Sequence, residues 1–142
     1  MKGGKMKNSV FNNLKERVKK NEGFRTEAYL DSLGYPTFGY GSRKIREKYA
    51  DLNMQDDLRE CVGLVEGYIE NERISVDEFR IGILSEMAYQ LGFAGLLKFK
   101  KMWRAIRDMD YETAAAEMKD SRWFKQTPVR AGNLADKMAR GY

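Results

Sequence analysis

Two carboxylates stand where acid–base chemistry is possible. Glu22 precedes Gly23 at the end of a helical stretch, and Asp31 ends an extended stretch just before Ser32-Leu33-Gly34. Carboxyl groups on opposite sides of a glycosidic bond can cleave it: one, protonated, helps the leaving oxygen depart, and the other, ionised, activates water or attacks the sugar. Thr37, beyond the turn, could hold a water beside Asp31. Pattern alone is a weak guide, because 21 acidic residues offer many such pairs and most are solvated surface charges. The rest of the chemical menu is short. With no histidine there is no Ser-His-Asp triad, no Cys-His pair and no His-containing zinc site. A lone Cys61 cannot close an intramolecular disulfide, which suits a reducing cytosol.

The elements that must position these residues follow from periodicity. Val10, Phe11, Leu14 and Val18 recur at helical spacing, with Asn8 or Ser9 as the cap, so residues 9–20 read as an amphipathic helix leading to Asn21-Glu22-Gly23. Residues 24–30 and 35–41 are rich in Gly, Tyr and Thr and flank a turn, which predicts a small antiparallel hairpin carrying Asp31 and Thr37. Gly39 and Gly41 there allow close backbone approach more readily than they signal phosphate binding. A basic stretch with Arg43, Lys44, Arg46 and Lys48 follows. Leu58, Cys61, Leu64, Val65, Tyr68 and Ile69 then predict a connecting helix over about 53–71.

Ser75 and Glu78 form a capping box ahead of Phe79, Ile83, Met87 and Leu91, with Gly92 as the stop, and this stretch is expected to be the buried centre of a larger lobe. Shorter helices are expected over about 98–108, 111–119 behind Asp110, and 128–139 behind Thr127-Pro128. Trp103 and Trp123 read as core. The expected architecture is α+β: one domain over 1–142, with a small N-terminal lobe (about 9–55) bearing the hairpin and a larger helical C-terminal lobe (about 75–142), joined by the helix at 53–71 and separated by a cleft.

The run Asn21-Glu22-Gly23-Phe24-Arg25-Thr26-Glu27-Ala28-Tyr29-Leu30-Asp31, followed by Gly34-Tyr35-Pro36-Thr37-Phe38-Gly39-Tyr40-Gly41, resembles the active-site block of the T-even phage type of lysozyme, glycoside hydrolase family 24. Gln90-Leu91-Gly92 and Trp123-Phe124-Lys125-Gln126-Thr127-Pro128-Val129-Arg130-Ala131 are similar to that family's later segments. The resemblance implies a lysozyme-like fold and a muramidase that hydrolyses the β-1,4 bond between N-acetylmuramic acid and N-acetylglucosamine in peptidoglycan. It makes Glu22 the general acid, Asp31 the general base and Thr37 the residue positioning water, with net inversion. It also turns Tyr89, Gln90 and Phe99 toward the saccharide cleft and brings Arg130 near Glu22, although aromatic residues at helical spacing are more often core.

No metal or organic cofactor is implied, because a carboxylate pair suffices and no ligand cluster is present, and a monomer is the default; the resemblance implies a phage lysozyme held in the host cytoplasm and given access to the wall by a separate pore-forming protein at the end of infection. The first twenty residues are basic and polar with no signal-like apolar run, and no stretch of about 18 apolar residues could span a bilayer. Two departures stand out. Ser42 occupies the position after Gly-x-Gly where T-even members often have His, and the segment from Thr37 to Gln90 is shorter, so the small lobe is expected to lack a helix and the cleft to be more open.

A net charge of +5 suits an anionic wall, and equally other polyanions. Three other readings compete. A cationic wall- or membrane-disrupting protein would act through the basic stretches 15–20 and 98–107 and would not need Glu22. A lytic transglycosylase would use Glu22 alone and leave an anhydro sugar. A nucleic-acid binder finds no recognition motif here, and acidic residues are spread throughout.

Overall fold

The computed structural model describes residues 6–22 and 43–142, with side chains over 6–21 and 50–142. Among the described residues there are eight α-helices: α1 (Asn8–Glu22), α2 (Arg43–Asn71), α3 (Glu78–Leu91), α4 (Phe93–Leu97), α5 (Lys100–Arg107), α6 (Tyr111–Lys119), α7 (Arg122–Gln126) and α8 (Pro128–Arg140). Every regular element among the described residues is helical and none is a strand, so the α+β class expected from the sequence is corrected to a helical, lysozyme-like fold. That class rested on local composition over 24–41, which lies outside the described residues, whereas elsewhere apolar stripes at helical spacing bury against one another without a sheet.

α3 is the centre. Ile81 to Ala88 are all buried, and a helix enclosed on every side belongs to the interior of a fold. Around it, Val65 and Ile69 of α2, Leu96 of α4, Met102, Trp103 and Ile106 of α5, Met118 of α6, Trp123 of α7 and Leu134 and Met138 of α8 form one continuous core. Each fully buried aliphatic side chain contributes roughly 1.5–3 kcal/mol. A second, smaller cluster joins Phe11, Leu14 and Val18 of α1 to Leu58 and Val62 of α2. α2 thus runs from one cluster into the other. Polar contacts add to this junction: Lys19 Nζ lies 3.1 Å from Asp51 Oδ1, and the Arg59 guanidinium sits 4.1 Å from the centre of the Phe11 ring.

Helix ends follow local chemistry. The Asp77 and Asp110 carboxylates accept from the amides of Arg80 (3.1 Å) and Thr113 (3.2 Å) at the starts of α3 and α6, and Ser121 Oγ accepts from Phe124 N (3.1 Å) at α7. The cap of α3 is therefore Asp77, not Ser75. Pro128 opens α8 as expected, but the Thr127 hydroxyl donates to Trp123 O (3.0 Å) rather than accepting from the helix amides. At the other end of α8, Gly141 takes φ +86°, the left-handed region, and the last carbonyls are met by one side chain from α3. Arg80 donates from Nε to Met138 O (2.7 Å) and from Nη2 to Ala139 O (3.2 Å), pairs through Nη1 with Asp77 Oδ1 (2.9 Å), and lies 3.5 Å from the Tyr111 ring centre.

Candidate active site

Of the residues expected to perform chemistry, Glu22 is the last residue of α1, with its side chain outside the described residues. Asp31 and Thr37 also lie outside them. What the structure does define is how the end of α1 is fastened, and the fastener is a residue that sequence reasoning missed.

Glu86 lies in the middle of α3 with no exposed surface. Its carboxylate accepts from Arg17 Nε at 2.5 Å and Asn21 Nδ2 at 2.6 Å, both on the last turns of α1, and from Arg130 Nε at 3.2 Å in the first turn of α8. Taking a carboxylate out of water costs several kcal/mol, which is offset only when charged donors surround it. Here two guanidiniums and an amide do so, and three helices meet at one side chain. Arg17 and Arg130 are themselves largely enclosed, at 17% and 12% side-chain exposure, so these are interior charges, weakly screened by salt. Lys137 of α8 stands beside the group: burial first, and the Arg17 charge second, push its ammonium below the usual lysine range, while Glu86 opposes both. One signal in the sequence pointed here, a single acid within the apolar run Ile83, Leu84, Met87 and Ala88.

Arg130, expected near Glu22, is thus tied to α1 through Glu86 and Asn21, the neighbour of Glu22. The residues expected to face the saccharide divide. Trp123 Nε1–H donates to Gln90 Oε1 at 2.9 Å, and the Trp123 ring meets Phe99 edge-on, with centroids 6.1 Å apart. These contacts bring Gln90 and Phe99 together. Phe99, Leu91, Met102 and Trp123 line a groove of about 530 Å³ between α4–α5 and α6–α7, with Glu117, Asp120, Lys98 and Arg122 on its walls. An apolar, ring-bearing floor with charged walls can receive a sugar ring and its polar substituents. Gln90 is not among the groove's lining residues and reaches it only through its bond to Trp123. Tyr89 instead packs toward the small cluster between α1 and α2. Both tryptophans are buried, as expected; Trp103 donates to Leu96 O at 3.1 Å.

The sequence matches the phage lysozyme family over residues 19–139. The chain belongs to that family. The matched span runs from the last turn of α1 through α8, and so includes Glu22, Asp31, Thr37, Glu86 and Arg130. Among family relatives, the chain is 26% identical over 152 residues to the pre-baseplate central spike protein Gp5 of Enterobacteria phage T4, covering 85% of this chain and 26% of that protein. It is 31% identical over 147 residues to peptidoglycan hydrolase gp36 of Pseudomonas phage phiKMV, covering 96% of this chain and 16% of that one. A probable T4-type lysozyme 2 of Dictyostelium discoideum is 25% identical over 165 residues, and there the coverage is 88% of this chain and 92% of the relative. The phage lysozyme chain therefore spans a minor part of its two phage relatives and nearly all of the third.

Proposed function

We propose that this chain is a muramidase that hydrolyses the β-1,4 bond between N-acetylmuramic acid and N-acetylglucosamine in bacterial peptidoglycan. The observation that carries this reading is membership of the phage lysozyme family across a span that contains the carboxylate pair, and the peptidoglycan hydrolase relative supports it. In this mechanism Glu22, protonated, donates to the departing glycosidic oxygen. Asp31, ionised, takes the proton of a water held by Thr37, and that water attacks the anomeric carbon from the opposite face. Inversion follows, and requires a carboxyl separation of roughly 6.5–9.5 Å rather than the roughly 5–5.5 Å of a retaining pair. Phe99 and Trp123 receive the sugar in the groove, and Gln90 holds the Trp123 ring through its indole N–H.

The biological setting belongs to the same proposal: a monomer made in the host cytoplasm, reaching the wall through a membrane opening made by a separate protein, and lysing the host at the end of infection.

Mass spectrometry of borohydride-reduced muropeptides, after digestion of purified peptidoglycan by the wild type and by Glu22→Gln, tests the chemistry. Reduced muramic-acid ends from the wild type, lost in the variant, are expected. Anhydromuramic ends would mean a transglycosylase, and lysis by both proteins without soluble muropeptides would mean membrane disruption.

A further inference from the structure

We propose that the basic face of α5, with the pocket between it and α2, binds the free carboxylates of the peptides that hang from a glycan strand seated in the groove. The inference rests on the reading of peptidoglycan as the substrate. Its first basis is where the charge lies. Residues 98–107 contain Lys98, Lys100, Lys101, Arg104 and Arg107 and no acid. Taking these five from the 26 basic residues leaves 21, equal to the 21 acidic ones, so the net charge of +5 amounts to the charge of this one stretch. All five residues are exposed, and among the described residues Arg107 alone of the five forms an ion pair, with Glu72.

The second basis is a concavity. A pocket of about 290 Å³ lies between α2 and α4–α5, and Lys100, Arg104 and Arg107, successive turns of α5, line it. It is also lined by rings: Trp103, 3% exposed, meets Tyr68 edge-on with centroids 4.9 Å apart. Arg107 is held against this pair, because its Nη2 donates to the Tyr68 hydroxyl (3.3 Å) and to Glu72 Oε1 (3.0 Å). Glu72 offsets one cation and leaves an excess of two. Guanidiniums present paired N–H donors that match a carboxylate. Lys100 lines both this pocket and the groove that holds Phe99 and Trp123. An anion in the pocket is therefore continuous with a sugar in the groove, and the anionic groups that hang beside the sugars of peptidoglycan are its peptide carboxylates. A lipid surface suits this face less well: Met102, Trp103, Ala105 and Ile106, the apolar side of α5, are buried in the core, which leaves the helix no apolar face to insert.

Co-sedimentation with purified sacculi, on ice and at physiological salt, tests the site. Wild type, Arg104→Gln/Arg107→Gln and a control that removes the same charge elsewhere, Arg73→Gln/Lys125→Gln, are compared, with folding followed by far-UV circular dichroism. Exposed ion pairs contribute modestly, so the α5 variant is expected to bind about fivefold more weakly than wild type, and the control to bind as wild type does. On sacculi whose carboxylates have been converted to amides with carbodiimide and ammonia, wild type is expected to weaken until it coincides with the α5 variant. Equal losses in the α5 variant and the control would mean that net charge alone matters, and overturn the site. A difference that persists on amidated sacculi and vanishes on sacculi stripped of phosphodiester-linked polymers with hydrofluoric acid would give the pocket to phosphate and overturn the carboxylate assignment. The muropeptide assay separates the two readings: a wild type that releases no muropeptides refutes the muramidase, whereas an active enzyme whose α5 variant binds as wild type does overturns only this site.

Discussion

Replacing Arg80 with methionine should loosen the end of α8 from the centre of the fold. The side chain is 13% exposed, donates to the Met138 and Ala139 carbonyls, pairs with Asp77 and stacks on Tyr111. Methionine keeps the length and apolar stem but removes every donor. A hydrogen bond from a charged group contributes about 1.5–3 kcal/mol, and the bond to Met138 O at 2.7 Å is the best placed. The longer bond to Ala139 adds less, the stacking about 0.5–1 kcal/mol, and the pair with the exposed Asp77 between about 0 and 1 kcal/mol. These terms share one guanidinium and are not additive, so the expected loss is about 2–4 kcal/mol. At roughly 4 °C per kcal/mol for a chain of this size, Tm falls by about 8–16 °C. Urea and thermal unfolding followed by far-UV circular dichroism measure it. Arg80→Lys, which keeps the charge but not the fork, should fall between wild type and methionine. A methionine variant within about 0.5 kcal/mol of wild type, the usual range for a surface substitution, would refute the view that Arg80 secures the end of α8.

Trp123→Phe removes the N–H that holds Gln90 while keeping a ring against Phe99; it should destabilise the fold by about 1–2 kcal/mol and raise KM on peptidoglycan more than it lowers kcat. A double-mutant cycle with Gln90→Leu checks that the loss runs through this pair. The hydrogen bonds from the Thr113 hydroxyl and amide hold the Asp110 carboxyl below the usual carboxylate range. A depressed folded pKa stabilises the fold above the unfolded value of about 3.9, and that stabilisation disappears as pH falls through the lower folded value. Asp110→Asn, which still caps α6 but does not titrate, should therefore lose less stability than wild type between neutral pH and pH of about 3, as read from urea midpoints.

The sequence was a good guide wherever a helix carried both an apolar stripe and an end signal. α6 begins behind Asp110 and α8 at Pro128 as expected, and the stretch around Ile83 and Met87 is the buried centre. Five-residue helices such as α4 and α7 are too short to show a period, and both were missed. α2 begins at Arg43, ten residues before the expected start: Ile45, Tyr49 and Leu52 stand at helical spacing in its first turns, but the charged residues around them made the stretch read as a basic segment. Ser75 and Asp77 both suit a cap, and only the three-dimensional start of α3 chooses between them.

The α+β class overreached from two short segments to a fold that is helical wherever it is described. Gln90, Phe99 and Arg130 were singled out through motif resemblance, but the partners the structure gives them were not. The bond between Trp123 and Gln90 joins residues 33 apart in sequence, and Glu86 meets Arg17 from 69 residues away; ion pairs of that kind leave no periodic trace.

The division of the apolar interior into two clusters also has a meaning in time. α3 is enclosed by the large core, whereas the apolar hold on α1 is the three side chains Phe11, Leu14 and Val18, supplemented by polar contacts at Glu86, Asp51 and Arg59. Segments with few buried apolar contacts open at free energies well below that of global unfolding. α1 can therefore detach and return many times while α3 to α8 stay folded, and it carries Glu22 with it. With Glu22 as the proposed acid, warming would silence catalysis reversibly before the helical signal of the protein begins to fall, and the lifetime of the working enzyme would be the lifetime of one helix on its seat.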